Sequence, residues 1–354
     1  MSLKILKVLI LAILLGETLL PQKELQAESH PSPNFVRIVG STAVFPFSAL
    51  IAERLSLFWD LPSPLIERTG TGVGINLFCG GLSAEFPDGV NTSRLLNPSE
   101  KINCQNNGVE DILEIKIGYG GIVLARASSQ CEVSSSLLSL SLNDLFKALS
   151  KEVFINGAWI PNPYQRWNDI NPLLPNLPIV IFGPPPTSGI RDALREIVLE
   201  PFCSLENPGS CGFIREDGVY IEMPENSMLV IQKLENNPSA LGILGYPFLD
   251  QNQDVLTGIP INEVSPTLAT ILEGSYPLSR PLYFYLKVKN LQEKENLQAY
   301  LSEFMDEAVW GEEGVLVEKG LIPLKEEEKK KIQEDVSLIL TAHKSTDSGE
   351  AQLP

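Results

Sequence analysis

The feature that most constrains this chain is a local unit that occurs three times. A short β-rich run meets a turn of Gly, Ser and Thr, and a helical pattern follows. Residues 35–39 (FVRIV) stop at Gly40-Ser41-Thr42-Ala43, and Phe47, Leu50, Ile51, Leu55 and Phe58 then recur at helical spacing, which predicts a helix over 45–58. Leu65-Ile66-Glu67-Arg68 leads into Thr69-Gly70-Thr71-Gly72-Val73-Gly74 and the helical run INLFC. Residues 177–182 (LPIVIF) lead into GPPPTSG at 183–189, after which Ile190, Leu194, Ile197 and Val198 share one helix face. Such alternation needs crossover connections, so the fold class is α/β with mostly parallel sheets. At 354 residues and 44% hydrophobic the chain can bury a large core, in about two domains.

Between these units a strand-like run covers 118–124, and SLNDLFKALSKEV reads as a helix capped by Ser141 or Asn143. A Pro/Asn/Trp-rich loop follows at 156–176. Further patterns predict a helix over 228–237, a strand and turn over 240–248, a strand over 281–287 and a helix over 292–309. A charged helix over 325–342 precedes a tail, 343–354, that reads as disordered.

The turns carry the chemistry. A helix N-terminus offers unpaired N–H donors and partial positive charge, and hydroxyls beside it complete an anion site. GSTA at 40–43, GTGVG at 70–74 and TSG at 187–189 are such turns, and Asn91-Thr92-Ser93-Arg94 is a fourth polar cluster. Taken singly, each is a helix cap, and Arg191 is a surface partner of Asp192 or Glu196. Taken together, at the C-terminal ends of their strands, they converge on one ligand, with Arg94 and Arg191 supplying forked, charge-assisted bonds. GTGVG is not a Walker A loop, since no Lys-Ser/Thr follows, and GxGxxG is absent. The only histidines, His30 and His343, lie in the tails, which removes most triads and zinc sites from consideration. With Lys+Arg 27 against Asp+Glu 44, the net charge of -17 excludes general nucleic-acid binding.

Lys4 and Lys7 precede an apolar run at 8–15, and Leu25-Gln26-Ala27 offers a cut after Ala27, with Leu where a small residue is the rule. Residues 1–27 therefore read as a signal peptide, the alternative being an N-terminal anchor. Export allows the cysteines to pair. Cys203 and Cys211 bracket one polar loop and Cys79 and Cys104 another, leaving Cys131 over; the alternative is five buried thiols. No CxxC spacing occurs, which disfavours a redox motif or zinc ribbon.

Over about 35–325 the chain resembles the phosphate-binding proteins of bacterial ABC phosphate importers. The segments that carry the resemblance, in order, are RIVGSTAVFPFSALIAERL, ERTGTGVGINLFCGG, NTSR, KIGYGGIVLA, IFGPPPTSGIRDAL, ALGILGYPFL, GSYPLSRPLYFYLK and WGEEGVLVEKGLIPL. The resemblance implies a periplasmic, monomeric receptor of the two-lobed type II binding-protein fold, with no cofactor, metal or catalysis. Such a receptor holds inorganic phosphate between its lobes and delivers it to the membrane subunits of an ABC permease. Lobe 1 would hold residues 35–120 and 279–325, lobe 2 residues 121–278, with hinge strands near 117–121 and 276–281 and a charged helix and tail at 326–354. The ligands implied are Ser41, Thr42, Ala43, Thr71, Ser93 and Arg94 from the first lobe and Ser188, Gly189 and Arg191 from the second. Two departures stand out. Ile190 replaces a hydroxyl residue, leaving only its N–H, and Arg94 stands where some members carry an aspartate that accepts a proton from hydrogen phosphate. Sulfate or another oxyanion is therefore an alternative ligand, and scavenging, sensing or adhesion an alternative role. A secreted hydrolase using Ser41 or Ser188 as nucleophile is a third reading, and neither serine has an evident base.

Overall fold

A computed structural model of the chain describes residues 35–59, 61–128, 139–203, 210–224 and 226–347. The expected signal peptide, His30, Cys131 and the last seven residues lie outside that set. The strands are β1 (Arg37–Gly40), β2 (Leu65–Arg68), β3 (Gly89–Thr92), β4 (Ile112–Ala127), β5 (Glu152–Ile155), β6 (Ala158–Pro161), β7 (Ile181–Gly183), β8 (Tyr220–Glu222), β9 (Leu241–Gly245), β10 (Leu256–Gly258) and β11 (Ser279–Lys287). They form a mixed sheet in the order β2-β1-β3-β11-β4-β9-β7-β8, with β10 also on β4, plus a separate β5–β6 hairpin.

The sheet has two parallel wings joined by antiparallel strands. β1 lies parallel between β2 and β3, and β7 parallel between β8 and β9. β4 belongs to both wings. Its first part pairs with β11, from Ile112 beside Lys287 to Gly121 beside Ser279. The next residue, Ile122, pairs with Gly245 of β9 instead. The return crossing lies alongside, where Ile122 N donates to Leu278 O at 3.0 Å. β3 and β9 are buried at every residue, as expected of strands covered by helices on both faces. The described residues form one compact unit.

A main apolar core runs through both wings, with Ile38, Leu124, Trp167 and Trp310 among its buried members. A smaller core around Ile75, Phe78 and Tyr285 backs the second hydroxyl turn. The disulfide Cys79–Cys104 closes it by tying helix Thr71–Phe78 to helix Pro98–Asn106. Cys203–Cys211 forms the second bridge. Closing the Cys79–Cys104 loop, with a sequence separation of 25, stabilises by about 3.5 kcal/mol through the unfolded chain. The double variant Cys79→Ala/Cys104→Ala is therefore expected to lose about that much in urea unfolding, an unchanged midpoint being the contrary result.

Helix Phe45–Phe58 has the bounds its spacing predicts, and helix Leu142–Leu149 is capped by Ser141 in a capping box with Asp144. Other segments differ from expectation: the helix expected over 141–153 ends at Leu149, with Glu152 and Val153 in β5, and the run expected at 118–124 is part of the 16-residue β4. The loop 156–176 contains β6 and the short helix Trp167–Ile170. Asn156-Gly157, both at positive φ, turn β5 back onto β6. The helix expected over 292–309 is three pieces, Val288–Glu293, Glu295–Phe304 and Glu307–Trp310. Lys294 is extended between the first two, and Asp306 accepts from Ala308 N at 2.8 Å to start the third. The last helix runs over Glu326–Asp347, five residues further than expected. It is held to the body by Lys116–Glu328 and Lys329–Glu307 ion pairs.

Candidate functional site: a cavity between the two wings

The hydroxyl turns sit at the C-terminal ends of β1, β2, β3 and β7, as α/β sheets require of a ligand site. Gly40 ends β1 with φ +126°, and Ser41 N donates to Asn91 O of β3 at 2.8 Å. Ser41 O accepts from Val44 N and Phe45 N, which leaves Thr42 and Ala43 at the tip of the turn. The Ser41 hydroxyl is buried and has no hydrogen-bond partner among the described residues. A buried hydroxyl left unpaired costs free energy, so this one calls for a partner from outside the chain.

Gly70 lies outside the second helix at φ +78°, and the rest of GTGVG forms that helix's first turn. It begins at Thr71, whose hydroxyl lies 3.1 Å from Ser93 Oγ. Ser93 N donates to Thr71 Oγ1 at 3.4 Å, and both residues are buried. On the other wing, buried Ser188 caps helix Gly189–Leu194, its Oγ accepting from Ile190 N at 3.3 Å. Accepting leaves the Ser188 O–H able to donate, whereas the Ile190 N–H expected to serve a ligand is already engaged.

These turns meet across the wings. A side-chain carbon on Gly189 would lie 2.8 Å from Thr42 O and 3.3 Å from Pro46 Cγ. Arg68 Nη1 reaches over to Thr187 O at 3.0 Å. Between the wings lies a cavity of about 60 Å³, with Ala43, Ser93, Gly189 and Arg280 among its lining residues. Gly120, Gly121 and Leu278, at the crossings between wings, line it as well. The space takes a few water-sized groups, so the guest it suits is small. Its remaining lining includes Phe47, Ile190 and Ile197, an apolar surround in which each donor acts more strongly than in water.

Arg94 and Arg191 stand elsewhere than expected. Arg94 forms a two-pronged bond to Glu100, at 2.9 and 2.8 Å, which raises its pKa and lowers that of Glu100. Glu100 belongs to the capping box that Asn97 opens for the next helix, so a carboxylate is already fixed beside the guanidinium. Arg191 pairs with Glu222, touches Pro184 O and stacks over Tyr220, all on its own wing; neither Asp192 nor Glu196 is its partner. Two residues not anticipated take their place. Arg280, at the start of β11, lines the cavity with its Nε buried and unpartnered among the described residues. Glu196, two turns beyond Ser188, accepts from Ser93 Oγ at 3.3 Å. Burial first, and then nearby Glu200, push its carboxyl above the ordinary range. The only local signals were an Arg before a β run and a Glu on the polar side of a helix.

Residues 26–308 match the PBP superfamily domain. The phosphate-binding protein PstS of Staphylococcus haemolyticus is 28% identical over 274 residues, covering 74% of this chain and 73% of its own. Protein SphX of Synechocystis sp. is 27% identical over 300 residues, 82% of this chain and 79% of its own. Among solved structures, a possible phosphate binding protein from Planctomyces limnophilus shares the fold with a TM-score of 0.69 and 23% identity. That alignment covers 87% of this chain and 98% of the other. PstS from Borrelia burgdorferi aligns with a TM-score of 0.52 at 18% identity, over 82% and 99%.

Proposed function

The chain belongs to the PBP superfamily, and from that premise we propose that it is an exported receptor that captures inorganic phosphate between two lobes and hands it to an ABC importer. The observation that carries this reading is the small cavity between the wings, lined by Ser93, Gly189 and Arg280, whose Nε is buried without a partner among the described residues. Ser41 Oγ, in the turn that leads to cavity-lining Ala43, is likewise buried and unpaired among the described residues, and the Thr71 and Ser93 hydroxyls pair at 3.1 Å. Neutral hydroxyls and one guanidinium suit a small tetrahedral oxyanion, and the names of the relatives support phosphate. Ser41, Thr42, Ala43, Thr71 and Ser93 would hold it from one side, with Ser188 and Gly189 closing from the other. Arg280, in place of Arg94 and Arg191, supplies the positive charge. At short range this set outweighs the net acidic charge, which salt screens beyond about 8 Å.

We place the lobes at 35–120 with 279–325, and at 121–278. The supporting feature is the exchange of partners along β4 at Gly121 and Ile122. Export rests on the apolar run at 8–15; among the described residues no helix is long and apolar enough to cross a membrane. Mass measurement of the exported protein tests a cut after Ala27.

The test of binding is calorimetry on ligand-stripped protein. Phosphate is expected to bind without turnover. Ser41→Ala and Thr71→Val are each expected to weaken it about tenfold or more, the worth of one hydrogen bond to a charged group. Ser41→Ala is also expected to leave the ligand-free unfolding midpoint unchanged or raised, because it removes a hydroxyl that the empty fold does not satisfy. Arg94→Ala, by contrast, should leave affinity within about threefold, since its fork is held by Glu100. Absence of heat with phosphate, sulfate and arsenate alike would overturn the reading.

A further inference from the structure

The cavity between the wings is more apolar than a guest made only of oxygens around its centre requires. Of the thirteen described residues that line it, two carry polar side chains, Ser93 and Arg280, and Arg280 alone is charged. The hydroxyl turns reach the space at Ala43, Ser93 and Gly189, while Ser41, Thr71 and Ser188 of the same turns stand outside the lining. Much of the remaining wall is hydrocarbon. Ile122 comes from β4 where it changes partners, and Leu278 and Leu282 from the return crossing and β11. Ile190 and Ile197 come from the helical stretch that starts beyond Ser188, with Ile190 where a hydroxyl was expected.

Such a lining suits a guest with two kinds of corner. Ligand pockets of this type orient their guests with a few polar groups and bury the rest against apolar side chains. Three corners of a tetrahedral ion can face the turns and Arg280. An oxygen at the fourth corner, pressed against Ile122, Ile197, Leu278 and Leu282, gives up water and finds no side-chain donor. A methyl group at that corner is favoured instead, by about fourfold in affinity for each carbon buried.

We propose that this receptor takes phosphonates as well as phosphate, that is, tetrahedral phosphorus oxyanions in which a short alkyl group replaces one oxygen. The three oxygens face the hydroxyl turns and Arg280, and the alkyl carbon packs among Ile122, Ile190, Ile197, Leu278 and Leu282. A space of about 60 Å³ admits a methyl group beside the oxyanion and excludes a longer chain. Phosphate remains a guest, because an apolar pocket rejects a hydroxyl in place of a methyl only modestly. The inference rests on the oxyanion-receptor reading above and widens its substrate class.

The experiment is calorimetry of the full chain, stripped of ligand, at one pH, with sodium phosphate, sodium methylphosphonate and sodium propylphosphonate. Methylphosphonate is expected to bind within about tenfold of phosphate or more tightly, and propylphosphonate at least about a hundredfold more weakly than methylphosphonate. Ile197→Ala, which hollows the wall, is expected to narrow the gap between methyl and propyl at least about tenfold. Ile190→Thr, which puts a hydroxyl into the wall, is expected to shift the ratio of affinities toward phosphate at least about tenfold. Each variant is read as a ratio between two guests on one protein, so a general loss of stability does not mimic the result, and the wild-type series stands without any substitution. This inference is wrong, and the receptor reading stands, if phosphate binds and methylphosphonate binds more than about tenfold more weakly. It is equally wrong if propylphosphonate binds as tightly as methylphosphonate, or if either substitution leaves its ratio unmoved. If methylphosphonate binds and phosphate does not, the inference stands and phosphate is the wrong cargo. If none of these anions binds, the receptor reading has failed and the inference with it.

Discussion

Gly189→Val is expected to cost at least about a hundredfold in phosphate affinity while the unfolding midpoint of the ligand-free protein stays nearly unchanged. Even a first side-chain carbon at this position would lie 2.8 Å from Thr42 O and 3.3 Å from Pro46 Cγ, on the opposite wing. A branched side chain holds the wings apart at their closest approach. The guest then keeps the donors of one wing and loses those of the other. Two hydrogen bonds to a charged group are worth about 3–6 kcal/mol, which sets the size of the effect. Within its own wing the Gly189 backbone is ordinary helix start, so the fold has little reason to suffer. Affinity within about threefold of wild type would show that the contact does not govern closure.

Gly40→Ala is expected to remove more than about 4 kcal/mol of stability, enough to deplete soluble protein. Gly40 has φ +126°, a conformation that side-chain-bearing residues rarely adopt, and an added carbon would lie 2.1 Å from Asn91 O. No flexible side chain can yield there, because the obstacle is the backbone of β3. Gly40 O also accepts from Thr69 N and Gly70 N, and Gly74 of the second turn packs onto Gly40 Cα. One glycine thus fixes the first hydroxyl turn against β3 and against the second turn. Urea unfolding measures the loss, and a change below about 1 kcal/mol would contradict the argument.

The parts of the site visible in the sequence are those whose chemistry is local. A hydroxyl or glycine between a β-rich run and a helical pattern specifies a turn with donors, and Ser41, Thr71, Ser93, Ser188 and Gly189 are found at such turns. The arginines were not legible in the same way. Whether Arg94 faces a ligand or Glu100 depends on a capping box opened by Asn97, and whether Arg191 does depends on β8, which brings Glu222 beside it. Arg280 reaches the cavity, and Glu196 reaches Ser93, through pairings between distant segments, the second spanning 103 residues. Length was hidden as well: the glycines at 118, 120 and 121 disguise the middle of a 16-residue strand as a short run. The hairpin at Asn156-Gly157 had a local signal, obscured by the Pro- and Trp-rich stretch around it.

The cavity floor and the chain crossings are the same residues: Gly120, Gly121 and Leu278 line the space, and β4 changes partners beside them. On the proposed reading a captured ion would sit at the fulcrum of any rocking between the wings. Tilt that hardly disturbs the donors at the fulcrum is magnified along each arm and is greatest at the outer rim. A membrane partner gripping that rim would sense occupancy as a change of span, without ever touching the cargo.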